Sequence, residues 1–186
     1  MENKAYLNYD MIIKELNHHK DTISFHSLDN VIALILKANQ IFLLGAGRSG
    51  CVMKMFANRL IHLGLKANII GNVTTPPAEE GDLLILNSSS GSTKRLVGAA
   101  EHAKKIGVKI LLFSSTVDSI LYELADETVI IPGNSKLTTS TLLTDQPMGS
   151  LFEQSSLIMF DSIVLTLRDC LGETNQSMSQ RHANLE

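Results

Sequence analysis

From residue 40 to residue 131 the chain alternates short apolar runs with longer amphipathic ones, and Gly closes several of them. The runs "QIFLLG", "KANIIG", "GDLLILNSS", "VKILLFSS" and "ETVIIPG" are too short for helices and are apolar at consecutive positions. The intervening "SGCVMKMFANRLIHLG", "TKRLVGAAEHAKKIG" and "DSILYELA" carry apolar residues at helical spacing. Strands that are apolar on both faces and separated by helices require a parallel sheet covered on both sides. The expected fold is therefore α/β: a three-layer αβα, doubly wound domain around a five-stranded parallel sheet.

The flanking segments extend this domain. Residues 5–20 predict an amphipathic helix through Leu7, Met11, Ile12 and Leu16, and a second helix is expected from about Ser27, whose neighbours Asp29 and Asn30 add capping oxygens. Residues 132–147 form a polar, Thr-rich stretch, long for a loop without a function. A long, nearly all-apolar helix follows from "MGSLFEQ", buried in the core or between subunits. The polar end "ETNQSMSQRHANLE" reads as a frayed tail. The 186 residues make one domain: N-terminal helices over 1–39, the parallel core over 40–131, and loop, long helix and tail over 132–186.

Composition narrows the function. Hydrophobic residues are 44% and charged residues 19%, as in a soluble globular chain, and the few aromatics and missing Trp predict an aliphatic core. The net charge of −3 and scattered basic residues argue against nucleic acid as a partner. No apolar run is long enough to span a membrane. Cys51 and Cys170 are isolated thiols, unsuited to a zinc site or disulfide framework, and fit a reducing cytoplasm. His18 and His19 are adjacent rather than spaced for a metal.

In a doubly wound sheet ligands bind at the carboxyl ends of the strands, where helix N-termini offer free N–H groups. Three loops lie there: Gly45 to Gly50, "NSSSGSTKR" over 87–95, and "FSSTVDS" over 113–119. The first spells G-x-G-x-x-G, the dinucleotide fingerprint, which demands an acidic residue about 20 positions on for the ribose hydroxyls. Between Asp29 and Glu79 there is no Asp or Glu, and Lys66 precedes the second strand instead of following it, so neither a plain nor a 2′-phosphorylated dinucleotide is supported. The second loop sets Ser88, Ser89, Ser90, Gly91, Ser92 and Thr93 directly before a helix. Hydroxyls and N–H groups at a helix N-terminus can surround the three terminal oxygens of a phosphate monoester. A Ser-rich turn that only caps the helix is the simpler alternative, weakened by the Gly loop on the neighbouring strand.

The pair "GAGRSG" and "SSSGST" resembles the sugar isomerase (SIS) family of phosphosugar-binding domains, whose second loop commonly reads S-x-S-G-x-T, matched by Ser88, Ser90, Gly91 and Thr93. "TTPP", "GDLLIL", "DQPMGSLFEQ" and "RHANLE" look like the 6-phospho-3-hexuloisomerases of that family, over nearly the whole chain. The resemblance implies a cytoplasmic, metal- and cofactor-independent homotetramer with sites near subunit interfaces. Its reaction would interconvert D-arabino-3-hexulose 6-phosphate and fructose 6-phosphate through a cis-enediol, in the ribulose monophosphate pathway of formaldehyde fixation. Alternatives within the fold are a non-catalytic phosphosugar sensor and an aldose–ketose isomerase of another sugar phosphate, such as a pentose 5-phosphate. The phosphate would lie on Ser49, Ser88, Ser90 and Thr93, with Gly47 and Arg48 lining the substrate site. Two departures stand out: Ser92, where the family often has Glu, and Gly71-Asn72-Val73, where it often has G-E-T.

An enediol mechanism needs a base that removes a proton from carbon and returns it to the neighbouring carbon. Glu153 is the candidate, sharing a helical stripe with Leu157, Phe160 and Val164. Ser150-x-x-Glu153 equally spells a capping box, which spacing alone favours and the resemblance disfavours. His182, in "RHANLE", is the second candidate catalytic group, able to pass protons to and from oxygen near neutral pH if the tail docks. Arg48, with Lys94 or Arg95, offers local positive charge.

Overall fold

A computed structural model describes residues 3–20, 23, 28–131, 133 and 144–185. The expected cap at Ser27 and most of the Thr-rich loop lie outside the described residues. The elements run α1 (Lys4–His19), α2 (Leu28–Lys37), β1 (Ile41–Gly45), α3 (Gly47–His62), β2 (Ala67–Ile69), β3 (Leu83–Asn87), α4 (Lys94–Lys105), β4 (Lys109–Ser114), α5 (Ile120–Leu124), β5 (Glu127–Ile130), α6 (Ser150–Leu171) and α7 (Asn175–Ser179).

All five strands are parallel, in the order β2-β1-β3-β4-β5. Leu83 and Ile85 of β3 face a core shared with α2, α3 and α6, whereas Leu84 and Leu86 face one shared with α4. This alternation explains why the strands read as unbroken apolar runs: each face is buried against its own helical layer. The order reverses between β1 and β3, so their following helices leave on opposite faces and a crevice opens between the strand ends.

The core departs from the aliphatic expectation. Phe56, Phe113, Phe152 and Phe160 are fully buried, on one face of the sheet. The Phe56 and Phe160 rings stack with centroids 4.5 Å apart, and Phe113 meets Phe160 edge-on at 4.7 Å. Few aromatics overall did not mean few inside, because most of the chain's Phe residues were placed where α3 and α6 cross the sheet.

The C-terminal end is also not frayed. α6 stops at Gly172 in the left-handed conformation (φ 65°). Thr174 and Ser177 then form a capping box that starts α7. Arg181 donates to His62 O (2.9 Å) and pairs with both oxygens of Glu173 (2.9 and 2.8 Å). Bonds from Arg181 and Ser177 hold the Glu173 carboxyl down at about 2. The tail is docked against the end of α3.

Candidate active site

The crevice between β1 and β3 holds a cleft of about 290 Å³, bounded by three pieces of backbone: the turn after β1, the loop after β3 and the first turn of α6. Ser49, Ser88, Ser90, Thr93 and Glu153 all line it, together with Asn87. The expected phosphate-binding hydroxyls and the expected base are thus assembled from segments up to about 100 positions apart.

The first wall is closed by glycine. A Cβ on Gly45 would lie 2.8 Å from Ser49 O, and one on Gly50 2.8 Å from Gly45 O. Only two residues without side chains let the strand turn this sharply into α3. Helix α3 begins at Gly47, earlier than the spacing suggested, so Ser49 sits in its first turn.

The second wall is fastened to β4. Ser88 N–H donates to Phe113 O (2.9 Å), while Ser115 N–H and the Ser115 hydroxyl both donate to Ser89 O (3.2 and 2.8 Å). Ser89 is thereby a strut. The third sequence loop, 113–119, is its buttress: a Cβ on Gly91 (φ +59°) would collide with Ser119 Oγ at 2.0 Å. Thr93 is the N-cap of α4 yet makes no side-chain capping bond, so its hydroxyl is not spent on the helix. The helix N-terminus above this loop favours negative charge.

The third wall carries the carboxylate. The N-cap of α6 is Gly149, with no side-chain cap, and the capping-box alternative for Ser150 and Glu153 is absent. The Ser150 hydroxyl donates to Pro147 O (2.8 Å) and accepts from Arg48 Nη1 (3.0 Å). Arg48 Nη1 also stands 3.1 Å from Glu153 Oε2. That contact is an ion pair without hydrogen-bond alignment, and Oε2 is buried with no hydrogen-bond partner among the described residues. Glu153 is held in the cleft by Arg48 and is free of any capping duty.

Two expected site residues lie elsewhere. Gly47 faces a separate crevice of about 260 Å³ across the β1 turn, with Lys54, Asn72 and Arg95. The Arg95 guanidinium donates to Ile70 O there (3.1 Å). His182 lines a third cleft with Arg59, His62, Asp161 and Arg168, its ring stacked on His62 with centroids 5.3 Å apart. Asp161 is two turns beyond Glu153 on α6, about 12 Å along the axis at 1.5 Å per residue. Glu153 and His182 therefore do not share a cleft within this chain. Burial, with Arg59 and His182 adding to it, lowers the His62 pKa.

Sequence reasoning missed two residues. Asn87 ends β3 fully buried beneath the cleft; the Ser156 hydroxyl lies 3.2 Å from its Oδ1, and its Nδ2 has no partner among the described residues. Glu15 of α1 accepts from the Thr144 hydroxyl, Asp145 N–H (2.8 Å) and Gln146 Nε2 (2.8 Å), tying α1 to the segment that leads into α6. Among the described residues no three His, Cys, Asp or Glu side chains could jointly hold a metal ion, and no helix is long and apolar enough to cross a membrane.

Known proteins share the sequence pattern and the fold. The SIS domain family matches residues 34–160. The 3-hexulose-6-phosphate isomerase of Bacillus subtilis is 40% identical over 176 residues, covering 94% of this chain and 95% of its own. That of Mycobacterium gastri is 41% identical over 152 residues, covering 82% and 76%. A crystal structure from Methanococcus jannaschii, whose authors inferred the function of a 3-hexulose-6-phosphate isomerase, superposes with a TM-score of 0.82 at 32% identity, covering 96% of this chain and 99% of that one. With the family model matched over residues 34–160 and the whole parallel sheet shared, the chain belongs to the SIS domain family.

Proposed function

We propose that the protein is an isomerase of D-arabino-3-hexulose 6-phosphate and fructose 6-phosphate. The observation that carries this reading is the shared cleft: Glu153 opposite a hydroxyl-lined helix N-terminus, with Ser49 on the third side. Phosphate oxygens accept hydrogen bonds from Ser49, Ser88, Ser90, Thr93 and the free N–H groups of α4. This anchors the sugar so that its carbonyl region reaches Glu153. The carboxylate removes the C2 proton of the 3-ketose; the C–H electron pair becomes the C2=C3 bond and the carbonyl pair moves onto the C3 oxygen. The same carboxyl returns the proton to C3 as the carbonyl re-forms at C2, giving fructose 6-phosphate. The curated relatives named for this activity span nearly the same length and support the choice of substrate.

The fuller reading is a cytoplasmic homotetramer that consumes the product of 3-hexulose-6-phosphate synthase. In it His182, displaced from its own chain's Glu153, serves oxygen-to-oxygen proton transfer in a neighbour's cleft. The placement of His182 on a docked tail supports this arrangement.

The test couples the purified protein to 3-hexulose-6-phosphate synthase, ribulose 5-phosphate and formaldehyde, and follows fructose 6-phosphate. Product above the synthase-only control is expected, and Glu153→Gln lowers kcat by at least about 10²-fold while the thermal shift given by fructose 6-phosphate persists. An inactive wild type sinks the reading; an active Glu153→Gln removes the base.

A further inference from the structure

The Ser150 hydroxyl makes two hydrogen bonds, and only one of them serves the fold. Ser150 is buried at the first position of α6, 4% exposed. Its proton goes to Pro147 O (2.8 Å), which closes the turn that leads into the helix. A lone pair remains, and Arg48 Nη1 donates to it (3.0 Å) from 102 positions away in the chain. The same nitrogen stands 3.1 Å from Glu153 Oε2. That oxygen is buried without a hydrogen-bond partner among the described residues. Glu153 Oε1 lies instead beside Gly149, which lines the cleft, 3.5 Å from where a Cβ on that glycine would stand. One carboxylate oxygen is turned to the guanidinium, and the other is left to face the cleft.

Exposure decides what this arrangement needs. The Arg48 side chain is 64% exposed and that of Glu153 16%. A long, solvated side chain loses rotamer freedom when it is held in one ion-pair geometry, and that loss cancels much of the attraction. The pair alone would hold Glu153 loosely. Ser150 supplies a fixed anchor: with its proton tied to Pro147 O, its hydroxyl cannot rotate, and its lone pair stays directed at Arg48.

We propose that Ser150 is a positioning residue of the isomerase, which fixes the Arg48 guanidinium and, through it, the Glu153 carboxylate. This rests on the isomerase reading. One carboxyl must take a proton from C2 and return it to C3, so its oxygen has to be held between two neighbouring carbons. A misplacement of about 1 Å can cost such a reaction about 10²-fold. Ser150 does not itself line the cleft and acts through Arg48.

The experiment is a double-mutant cycle on kcat in the coupled assay, with Ser150→Ala, Arg48→Ala and the double variant, and thermal unfolding alongside. Ser150→Ala is expected to lose about 10-fold in kcat and Arg48→Ala up to about 10²-fold. The double variant is expected to match Arg48→Ala within about twofold, because a guanidinium that is gone cannot be misplaced. A serine that only closes the Pro147 turn predicts instead that the two losses in kcat multiply. Multiplied losses, or wild-type kcat in either single variant, overturn the proposal, while an active wild type keeps the isomerase reading. Should Ser150→Ala fail to fold, Ser150→Thr and Ser150→Val, alike in shape, take its place. A kcat advantage of Thr over Val that vanishes in the Arg48→Ala background supports the proposal; one that survives there, or no advantage at all, overturns it. A wild type without isomerase activity overturns both readings.

Discussion

A methyl group on Gly45 would sit 2.8 Å from Ser49 O and 2.9 Å from Gly50 N, closer than real Cβ atoms approach backbone. Gly45→Ala is therefore expected to destabilise the fold by about 1–3 kcal/mol, measured as a lower urea midpoint, and to weaken the fructose 6-phosphate thermal shift because Ser49 is displaced. The glycine pattern was legible in the sequence, and the missing carboxylate after it was enough to set aside a dinucleotide. That the Ser-rich loop and the β1 turn meet at one crevice was legible too, because strand ends and helix starts dictate where such loops converge, whereas Glu153 was singled out by the family resemblance, its spacing alone reading as a cap. Asn87 was not. On paper it is a polar residue closing a strand, and only packing buries it beneath the cleft beside Ser156.

At the scale of elements, the third wall of the cleft depends on α1. Burial raises the Glu15 pKa, but hydrogen bonds from Thr144, the Asp145 backbone and Gln146 outweigh it, and the net shift is below the usual 4.5. A carboxylate lowered in the folded state stabilises it fully above 4.5 and loses that contribution as pH falls through the folded value. Glu15→Ala is expected to cost roughly 1–2 kcal/mol at pH 7, the low end for bonds to a charged group because the site is partly solvated. In urea unfolding at pH 7 and then in acid, the gap between variant and wild type should narrow. Strands and helices were readable from their periods, since local spacing decides them. The α1 contact joins residues about 130 positions apart, and no local pattern encodes it. α7 escaped for a related reason: its polar sequence is helical because Thr174 and Ser177 cap it and Arg181 docks it.

Across the whole molecule the His62–His182 stack links the tail to α3. Burial, then Arg59 and His182, lower the His62 pKa beneath 6.5, so the unfolded chain takes up this proton first. Stability from this group therefore rises with pH toward and through 6.5 and falls on the acid side, until the folded protein is protonated as well. Thermal unfolding between pH 7.5 and 5.5 should show this slope, and His62→Gln should flatten it. The β1 turn has a reach of similar scale, since Ala46 and Ser49 line one crevice while Gly47 and Gly50 line its neighbour. Both openings rest on the contact between Gly45 and Gly50. Each Cβ there would meet backbone, which no second substitution can trim away. A defect at either glycine accordingly has no reciprocal suppressor at the other, and revertants of a Gly45 variant should restore glycine itself or map to distant stabilising positions.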